Sequence, residues 1–432
     1  MTPAQYGHQA PATRPTSRQR AVDLPRLLPT SRGATSLADH LTRYGRPPSP
    51  GPDTKQRDAL IEEVARAGLT GRGGAAFPTA RKLAAVAAGR DPVVVANGTE
   101  GEPASFKDQV LLVRSPHLVL DGAVLAAELV GARRALVVVH HSARAAVDAA
   151  VTQRRRARAG PVQLTVVTAA TGFVAGEASA VVHWAGRGVP TPLATPPRVS
   201  QRGLGGAPTL VCNVETLAHL ALIARYGARW FRSIGTPAEP GSMLVTILGA
   251  VRDPCVAEVA IGTSVAEVLG LAGGPSAPLQ AVLAGGYFGT WVSASKVLGR
   301  PLSAEGLADL GAAPGAGLVA ALPVDSCGLR ETARVVRYLG GESAGQCGPC
   351  LFGLAAVAGE MEHIAEGHTD GLSMLRRWLD QVGKRGACAH PDGAVQLVRS
   401  ALEVFRAELA QHAHGWCCGT RTILPVPGRR RP

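Results

Sequence analysis

Aromatic side chains are scarce in this sequence: Phe, Trp and Tyr together supply 4% of its 432 residues. Nucleic acid bases stack on such rings, so the scarcity removes the usual platform for holding single strands. Acidic residues are also outnumbered, 32 against 45 lysines and arginines, which leaves a net charge of +13. Clustered, that surplus would draw phosphate polymers, but outside the run from Arg154 to Arg158 and the terminal GRRRP it is scattered. It reads as a solvated surface open to acidic protein partners, with no nucleic acid among them. Long apolar runs are missing too. The richest stretch, HLVLDGAVLAAELVGA from His117, is interrupted by an aspartate and two glycines, so no direct membrane span is expected. Cysteine is sparse: eight residues cannot staple a chain of this length, and their crowding in the last quarter points to metal or redox chemistry in a reducing compartment. Cytoplasm is the expected location, either free or peripheral to a membrane complex.

What is present is ample apolar material, 46% of the chain, enough for two or three separately cored domains. Residues 1–52 are rich in proline, threonine and arginine and read as a disordered tail. Across 53–235, β-branched runs (PVVVAN, ALVVVHH, VQLTVVTA) alternate with helical segments, which predicts an α/β sandwich. Short strands and Gly/Pro turns over 236–322 predict a small β-rich domain with one helix. Apolar residues at helix spacing over 323–415, such as Leu372, Leu375 and Leu379, predict a helical bundle. Residues 416–432 are left as a basic tail.

Two motifs carry chemistry. In ESAGQCGPCLFG, Cys347 and Cys350 sit in a turn before a helix, and Cys388 follows in GACAHPDG. Three thiolates converging in this way would suit iron, for which soft sulfur is the preferred ligand. A redox thiol pair, or two buried thiols that happen to be neighbours, is the plainer alternative. The second motif, GLTGRGGAAFPTARKL from Gly68, brings Gly71, Gly73 and Gly74 ahead of a helix start at Pro78 with Lys82 beyond. Its glycines let amides approach a phosphate, and the helix N-terminus and lysine add positive charge. The preceding IEEVARAG reads as a helix, so the loop is no ordinary dinucleotide turn; close packing on a neighbour is the structural alternative.

On these residues the chain resembles the flavoprotein subunit shared by complex I, NAD-linked hydrogenases and NAD-linked formate dehydrogenases. The family's cluster segment reads E-S-C-G-x-C-x-P-C with a later cysteine. Cys347, Cys350 and Cys388 match its second, third and fourth ligands, while Ala344 occupies the first. The resemblance therefore implies a [4Fe–4S] cluster with a non-cysteine fourth ligand, a [3Fe–4S] cluster, or a lost one. His390 and Cys327 are candidate substitutes; Cys212, Cys255, Cys417 and Cys418 are left as structural or free thiols. The glycine loop matches G-L-R-G-R-G-G-A-G-F-P-T-G-x-K, ANGTEGEPASFKDQ matches N-A-D-E-x-E-P-G-T-F-K-D, and GFVAGEAS and LVCNVET match two further stretches.

The implied fold is a Rossmann-like FMN-binding α/β sandwich, a β-grasp domain and a helical bundle carrying the cluster motif. The implied cofactor-binding residues are Gly71, Arg72, Gly73, Gly74, Phe77, Lys82, Asn97, Glu100, Glu102, Gly176, Glu177, Asn213 and Thr216. Family carboxylates are replaced at Thr99 and Ala178, a family asparagine at Cys212, a lysine at Thr195, and stacking aromatics at Ala85 and Arg198. The implied activity is transfer of electrons from NAD(P)H through FMN and the cluster to a ferredoxin, a thioredoxin-like [2Fe–2S] subunit or a membrane haem protein. The alternative is a non-catalytic relay or assembly subunit that no longer binds nicotinamide.

Overall fold

The computed structural model describes residues 24–30, 33–51, 53–157, 162–193 and 196–427. The first layer is a parallel four-stranded sheet of β1 (Val93–Gly98), β2 (Arg134–Val139), β3 (Gln163–Thr168) and β4 (Thr209–Asn213), in the order β3-β2-β1-β4. Central parallel strands are covered on both faces and so read as unbroken apolar runs; in β1 the residues from Val93 to Ala96 are all buried. Helices α1 (Leu37–Tyr44), α2 (Thr54–Ala67), α3 (Thr79–Ala87), α4 (Lys107–Arg114), α5 (Pro116–Val130), α6 (Arg144–Arg156), α7 (Ala178–Arg187) and α8 (Val214–Phe231) surround it. The α/β reading of this region therefore holds.

Helix α5 is the apolar stretch from His117. All of it except Val124 and Glu128 is buried, and it packs tightly on α8. Gly122 makes that approach possible: a side-chain carbon there would meet the Leu217 carbonyl oxygen at 1.9 Å. No single described helix is long and apolar enough to cross a membrane.

The chain steps from β1 outward to β2 and β3, then crosses back to β4 on the other side of β1, and this reversal opens a crevice at the carboxyl end of β1. Asn97 pairs in register with Val138 on one side and Asn213 on the other, at the lip of that crevice. A second, mixed sheet follows: β5 (Ser242–Gly249), β6 (Cys255–Ala260), β7 (Leu279–Ala284), β8 (Thr290–Ser293) and β9 (Leu318–Pro323), ordered β6-β5-β9-β7-β8. Its parallel β5–β9 centre with antiparallel flanks, crossed by α9 (Val265–Leu271), is a β-grasp arrangement. Helices Gly328–Gly341, Leu354–Ala365, Leu372–Val382, His390–Val404 and Arg406–Ala413 then form the bundle.

Both chain ends depart from expectation. Within residues 24–51 the segment read as a disordered tail is part of the first domain: Leu27 and Leu28 are 0% and 1% exposed, and Ser36 caps α1 by accepting from the Asp39 amide. The reason is a buried carboxylate. Asp121 on α5 needs hydrogen-bond partners, and α1 delivers His40, whose Nε2 lies 2.7 Å from Asp121 Oδ2. Arg154 reaches Oδ1 at 2.5 Å and Arg225 pairs with Oδ2. Arg154, counted in sequence with a solvated basic run, is thus 6% exposed; Arg158 and residues 1–23 lie outside the described residues. At the other end, residues 416–427 are bound as well: the Ile423 and Leu424 amides donate to Glu331 Oε2 at 3.3 and 3.0 Å, and Leu424 is 3% exposed. The terminal GRRRP falls outside the described residues.

Burial alone would raise the Asp121 carboxyl, but the His40 hydrogen bond and the charges of Arg154, His40 and Arg225 hold it well below the usual carboxylate range. Its stabilisation is therefore present above that range and is lost as pH falls beneath it. Asp121→Ala strands two buried guanidiniums, leaves His40 Nε2 without its partner, and should cost about 3–5 kcal/mol. Denaturant unfolding monitored on the first domain checks this, and a loss below about 1 kcal/mol would contradict the assigned hub.

Candidate functional site

The glycine loop leaves α2 through Gly68, which takes the left-handed conformation at φ 72°. It closes on itself by Gly71 N–H to the Phe77 carbonyl and Thr79 N–H to the Leu69 carbonyl, both 2.9 Å. Arg72 N–H donates to Thr216 Oγ1 at 2.8 Å, which fixes the loop against the start of α8. Between these ties Gly73, Gly74, Ala75 and Ala76 line a cavity of about 590 Å³ with nothing larger than a methyl group. Backbone is the wall there. Gly71, Phe77 and, one turn into α3, Lys82 also face it; the Lys82 ammonium donates to the Val211 carbonyl at 3.1 Å.

The carboxyl ends of β1 and β4 supply the floor. Asn97, Asn213 and Thr216 line it, with Asn97 Nδ2 donating to the Gly176 carbonyl at 2.9 Å and Asn213 Nδ2 to Asp108 Oδ2 at 2.6 Å. Glu177 also lines it while capping α7, accepting from the Ser179 and Ala180 amides at 2.8 and 3.0 Å. Lys107 is buried at this floor between Asp108 (2.7 Å) and Glu215 (2.8 Å). Burial alone would lower its ammonium; the two carboxylates outweigh that and raise it.

Two acids on the wall are neutralised by their surroundings. Glu100 accepts from Ser105 Oγ and from the Asp108 and Gln109 amides at 2.7–3.0 Å, and burial with the Asp108 charge pushes it up to about 7. Glu102 accepts from the Tyr287 amide at 2.7 Å, and burial pushes it up to about 8.

The opposite wall comes from the bundle and the β-grasp sheet. Cys388, Ala389 and His390 line it beside Phe173 and Phe288. Behind them lie Cys347 and Cys350. The Cys347 sulfur is pushed up by burial but accepts from the Ala387 and Cys350 amides and the Cys350 thiol, which together bring it below its ordinary value. Burial and the neighbouring Cys347 and Cys388 sulfurs push Cys350 up to about 12. Amides of Gly345 and His390 point at the Cys350 and Cys388 sulfurs. Three neighbouring sulfurs with N–H donors aimed at them would hold an iron–sulfur cluster once their thiol protons are released on binding iron.

The second of two F subunits of NADH-quinone oxidoreductase in Rhizobium meliloti (strain 1021) is 30% identical over 374 residues, which cover 82% of this chain and 89% of the relative. The chain belongs to the family of NADH-quinone oxidoreductase F subunits. The corresponding protein of Streptomyces coelicolor (strain ATCC BAA-471 / A3(2) / M145) is 30% identical over 379 residues, 84% of each chain. Three family descriptions match in sequence: the Nuo51 FMN-binding domain at 64–222, the SLBB domain at 244–286 and the NADH-ubiquinone oxidoreductase-F iron-sulfur binding region at 330–412. Among solved structures, an NAD+-reducing [NiFe]-hydrogenase in the H2-reduced state superposes with a TM-score of 0.78 at 33% identity, covering 86% of this chain and 66% of that one.

The residues present fit the family's FMN. The small-residue wall admits a flat ring or a phosphate to backbone amides. Thr99, where the family has an aspartate, is 3% exposed, and its hydroxyl has no partner among the described residues. It sits behind Gly176, whose neighbourhood borders the cavity. The chain's departures have physical outcomes. Arg72, expected at the cofactor, turns its guanidinium away to Thr70 Oγ1 (2.9 Å) and the Pro240 carbonyl (3.3 Å), where the Glu215 and Glu239 charges offset its burial. His390, a candidate for the missing ligand, commits Nε2 to the Leu339 carbonyl at 2.7 Å and stands between Phe173 and Phe288 as part of the cavity wall. Thr195 lies outside the described residues, and Ala85 and Arg198 are exposed, off the cavity wall.

Three features escaped sequence reading. Phe288, in the β7–β8 turn beside the buried Tyr287, lines the cavity from the second domain, and Glu342 grips the Phe173 amide at 2.8 Å from the cluster loop. Cys327, Cys417 and Cys418, separated by up to ninety-one positions, meet with their sulfurs within 4.8 Å of one another. The adjacent Cys417–Cys418 pair was the available signal.

Folding raises the Glu102 carboxyl to about 8, so the native chain holds a proton that the unfolded chain releases near pH 4. The contribution is complete below the ordinary carboxylate range and is lost as pH rises through about 8. Glu102→Gln keeps the acceptor for the Tyr287 amide without the ionisation. Between the ordinary carboxylate range and about pH 8 its melting temperature should fall less than that of the native chain; equal slopes across that window would contradict the assignment.

Proposed function

We propose that this chain oxidises NADH or NADPH at an FMN seated in the cavity, and passes the electrons through an iron–sulfur cluster on Cys347, Cys350 and Cys388 to a protein acceptor. One observation carries this reading: Cys388, in the cluster segment, lines the same cavity as the glycine loop and the Asn97–Asn213 floor. Bound FMN supplies the exchange between two-electron nicotinamide chemistry and one-electron iron–sulfur chemistry.

The chain's own residues hold and shield that exchange. Gly73 to Ala76 receive a group against backbone, Lys82 offers positive charge, and the Tyr287–Phe288 turn covers the far side and excludes water. Glu100 and Glu102, held near neutrality, keep uncompensated negative charge off the wall where an electron-rich ring would sit. Phe77, 40% exposed at the mouth with the Arg81 guanidinium 5.7 Å from its ring, offers a face for a nicotinamide or adenine ring.

The acceptor reading rests on Leu351 and Phe352, 55% and 71% exposed directly after Cys350, as an apolar landing area beside the cluster. A ferredoxin, a thioredoxin-like [2Fe–2S] subunit and a membrane haem protein all suit it. Eight unpaired cysteines suit a reducing, cytoplasmic setting, free or on the surface of a membrane complex. The exposed positions of Ala85 and Arg198, where the family stacks aromatics, favour a second reading: a relay subunit that keeps both centres but not the nicotinamide.

Anaerobically purified protein should be yellow-brown, and its flavin band should bleach on addition of NADH or NADPH. A spectrum indifferent to both nucleotides selects the relay reading; a colourless protein after cluster reconstitution contradicts both. Ala344→Cys restores a fourth thiolate, so bound iron should rise and the reduced EPR signal change. Unchanged iron and EPR would overturn the three-thiolate cluster.

A further inference from the structure

We propose that Cys327, Cys417, Cys418 and His412 form a tetrahedral zinc site, separate from the iron–sulfur ligands, that clips residues 416–427 onto the head of the helical bundle. The three sulfurs lie within 4.8 Å of one another, and His412 Nε2 is 3.4 Å from Cys327 Sγ. Zinc held at about 2.3 Å from sulfur and about 2.0 Å from nitrogen sets tetrahedral edges of about 3.8 Å between sulfurs and about 3.6 Å from sulfur to nitrogen. The three sulfurs are therefore already grouped near tetrahedral spacing, and the His412 imidazole stands against Cys327, from where it would swing toward the other two sulfurs to complete the set. Cys347, Cys350 and Cys388 serve a different geometry, because a multi-iron cluster stands between its ligands and spreads them further apart.

The surroundings are those of a metal-bound thiolate. Cys327 is 1% exposed and caps the helix Gly328–Gly341, with the Arg330 amide donating to its sulfur at 3.4 Å. The amide and the helix N-terminus both stabilise negative sulfur. His412 is 3% exposed. Glu408 Oε2 now accepts from the Cys327 thiol at 3.4 Å and also meets Cys418, while the Gly328 and Leu329 amides hold the carboxylate at 3.2 and 3.1 Å, so it would stay outside the ion as the group that takes up charge beside the thiolates. That leaves imidazole as the fourth ligand.

The two C-terminal cysteines are delivered by a segment fixed on either side. Gly419 packs so closely that a side-chain carbon would lie 1.8 Å from the Asp325 carbonyl oxygen. Further on, Tyr287 Oη donates to the Pro425 carbonyl at 2.8 Å. Cys417 and Cys418 now spend their thiol protons on the Gly419 and Ser326 carbonyls, at 3.3 and 3.6 Å. Binding would release the three thiol protons to solvent and replace those weak bonds by coordination. A disulfide between any two of the sulfurs would leave the third thiol and the imidazole unused. A soft S₃N donor set of tetrahedral spacing selects zinc.

The test uses the full chain, purified anaerobically with reductant, loaded with zinc and dialysed. Metal content by mass spectrometry should give one zinc per chain in addition to iron. Zinc-edge absorption should show three sulfurs at about 2.3 Å and one imidazole nitrogen. Cys417→Ser, at an exposed position that does not endanger folding, and His412→Gln should each weaken zinc binding at least tenfold, with iron measured in the same samples as the control for an intact fold. Any of three results overturns the proposal: no zinc retained, unchanged zinc affinity in either variant, or an intrachain disulfide involving Cys327 in protein isolated under reducing conditions.

Discussion

An ammonium group buried 3% exposed in a protein interior persists only if anions come to it, and Lys107 is met from two directions. Asp108 beside it is held by Asn213 at the end of β4, and Glu215, at the start of α8, also accepts from the Leu244 amide on β5 at 2.9 Å. One buried cation thus ties the parallel sheet, the following helix and the β-grasp sheet to a common point, and that point is the floor of the cavity. The glycine loop hangs from the same helix start through Thr216. Around this knot the acids of the wall are engaged, Glu100 on the α4 amides and Glu102 on the second domain, which leaves Lys82 as a positive charge on the cavity.

The same logic of buried charge explains what the sequence made legible and what it hid. Unbroken apolar runs and period-3.6 apolar spacing are local, so β1, α5 and the bundle could be read from PVVVAN, from the run after His117 and from the leucine spacing. The N-terminal segment has no such pattern. It is retained by single anchors, His40 on Asp121, Arg26 stacked 4.0 Å from the Trp230 ring and the Leu27 amide on Glu258, whose partners lie up to 231 residues away. Nothing in a proline- and arginine-rich stretch announces such contacts.

At the site, small residues were legible because their reason is local: Gly73 to Ala76 must leave room. Charged residues were less so. Arg72 sits inside the most recognisable motif, yet its guanidinium belongs to the junction between domains, drawn there by Glu215 and Glu239. Lys107 lies in a matched stretch but its partner Glu215 comes from elsewhere. The loss of a thiol at Ala344 was plain in the sequence; the orientation of His390 was not, since the Leu339 carbonyl holds its Nε2 and leaves Nδ1 buried without a partner among the described residues. For Cys327 and Cys418, ninety-one positions apart, distance along the chain gave no sign of their meeting in space.

On this account flavin and cluster occupy adjoining sites on either side of Cys388. Iron-edge anomalous diffraction from crystals of the anaerobically purified protein tests that arrangement directly. The predicted result is an iron peak bracketed by Cys347, Cys350 and Cys388, with flavin density in the cavity against Gly73–Ala76. Iron elsewhere, or a flavin ring outside that cavity, would contradict it.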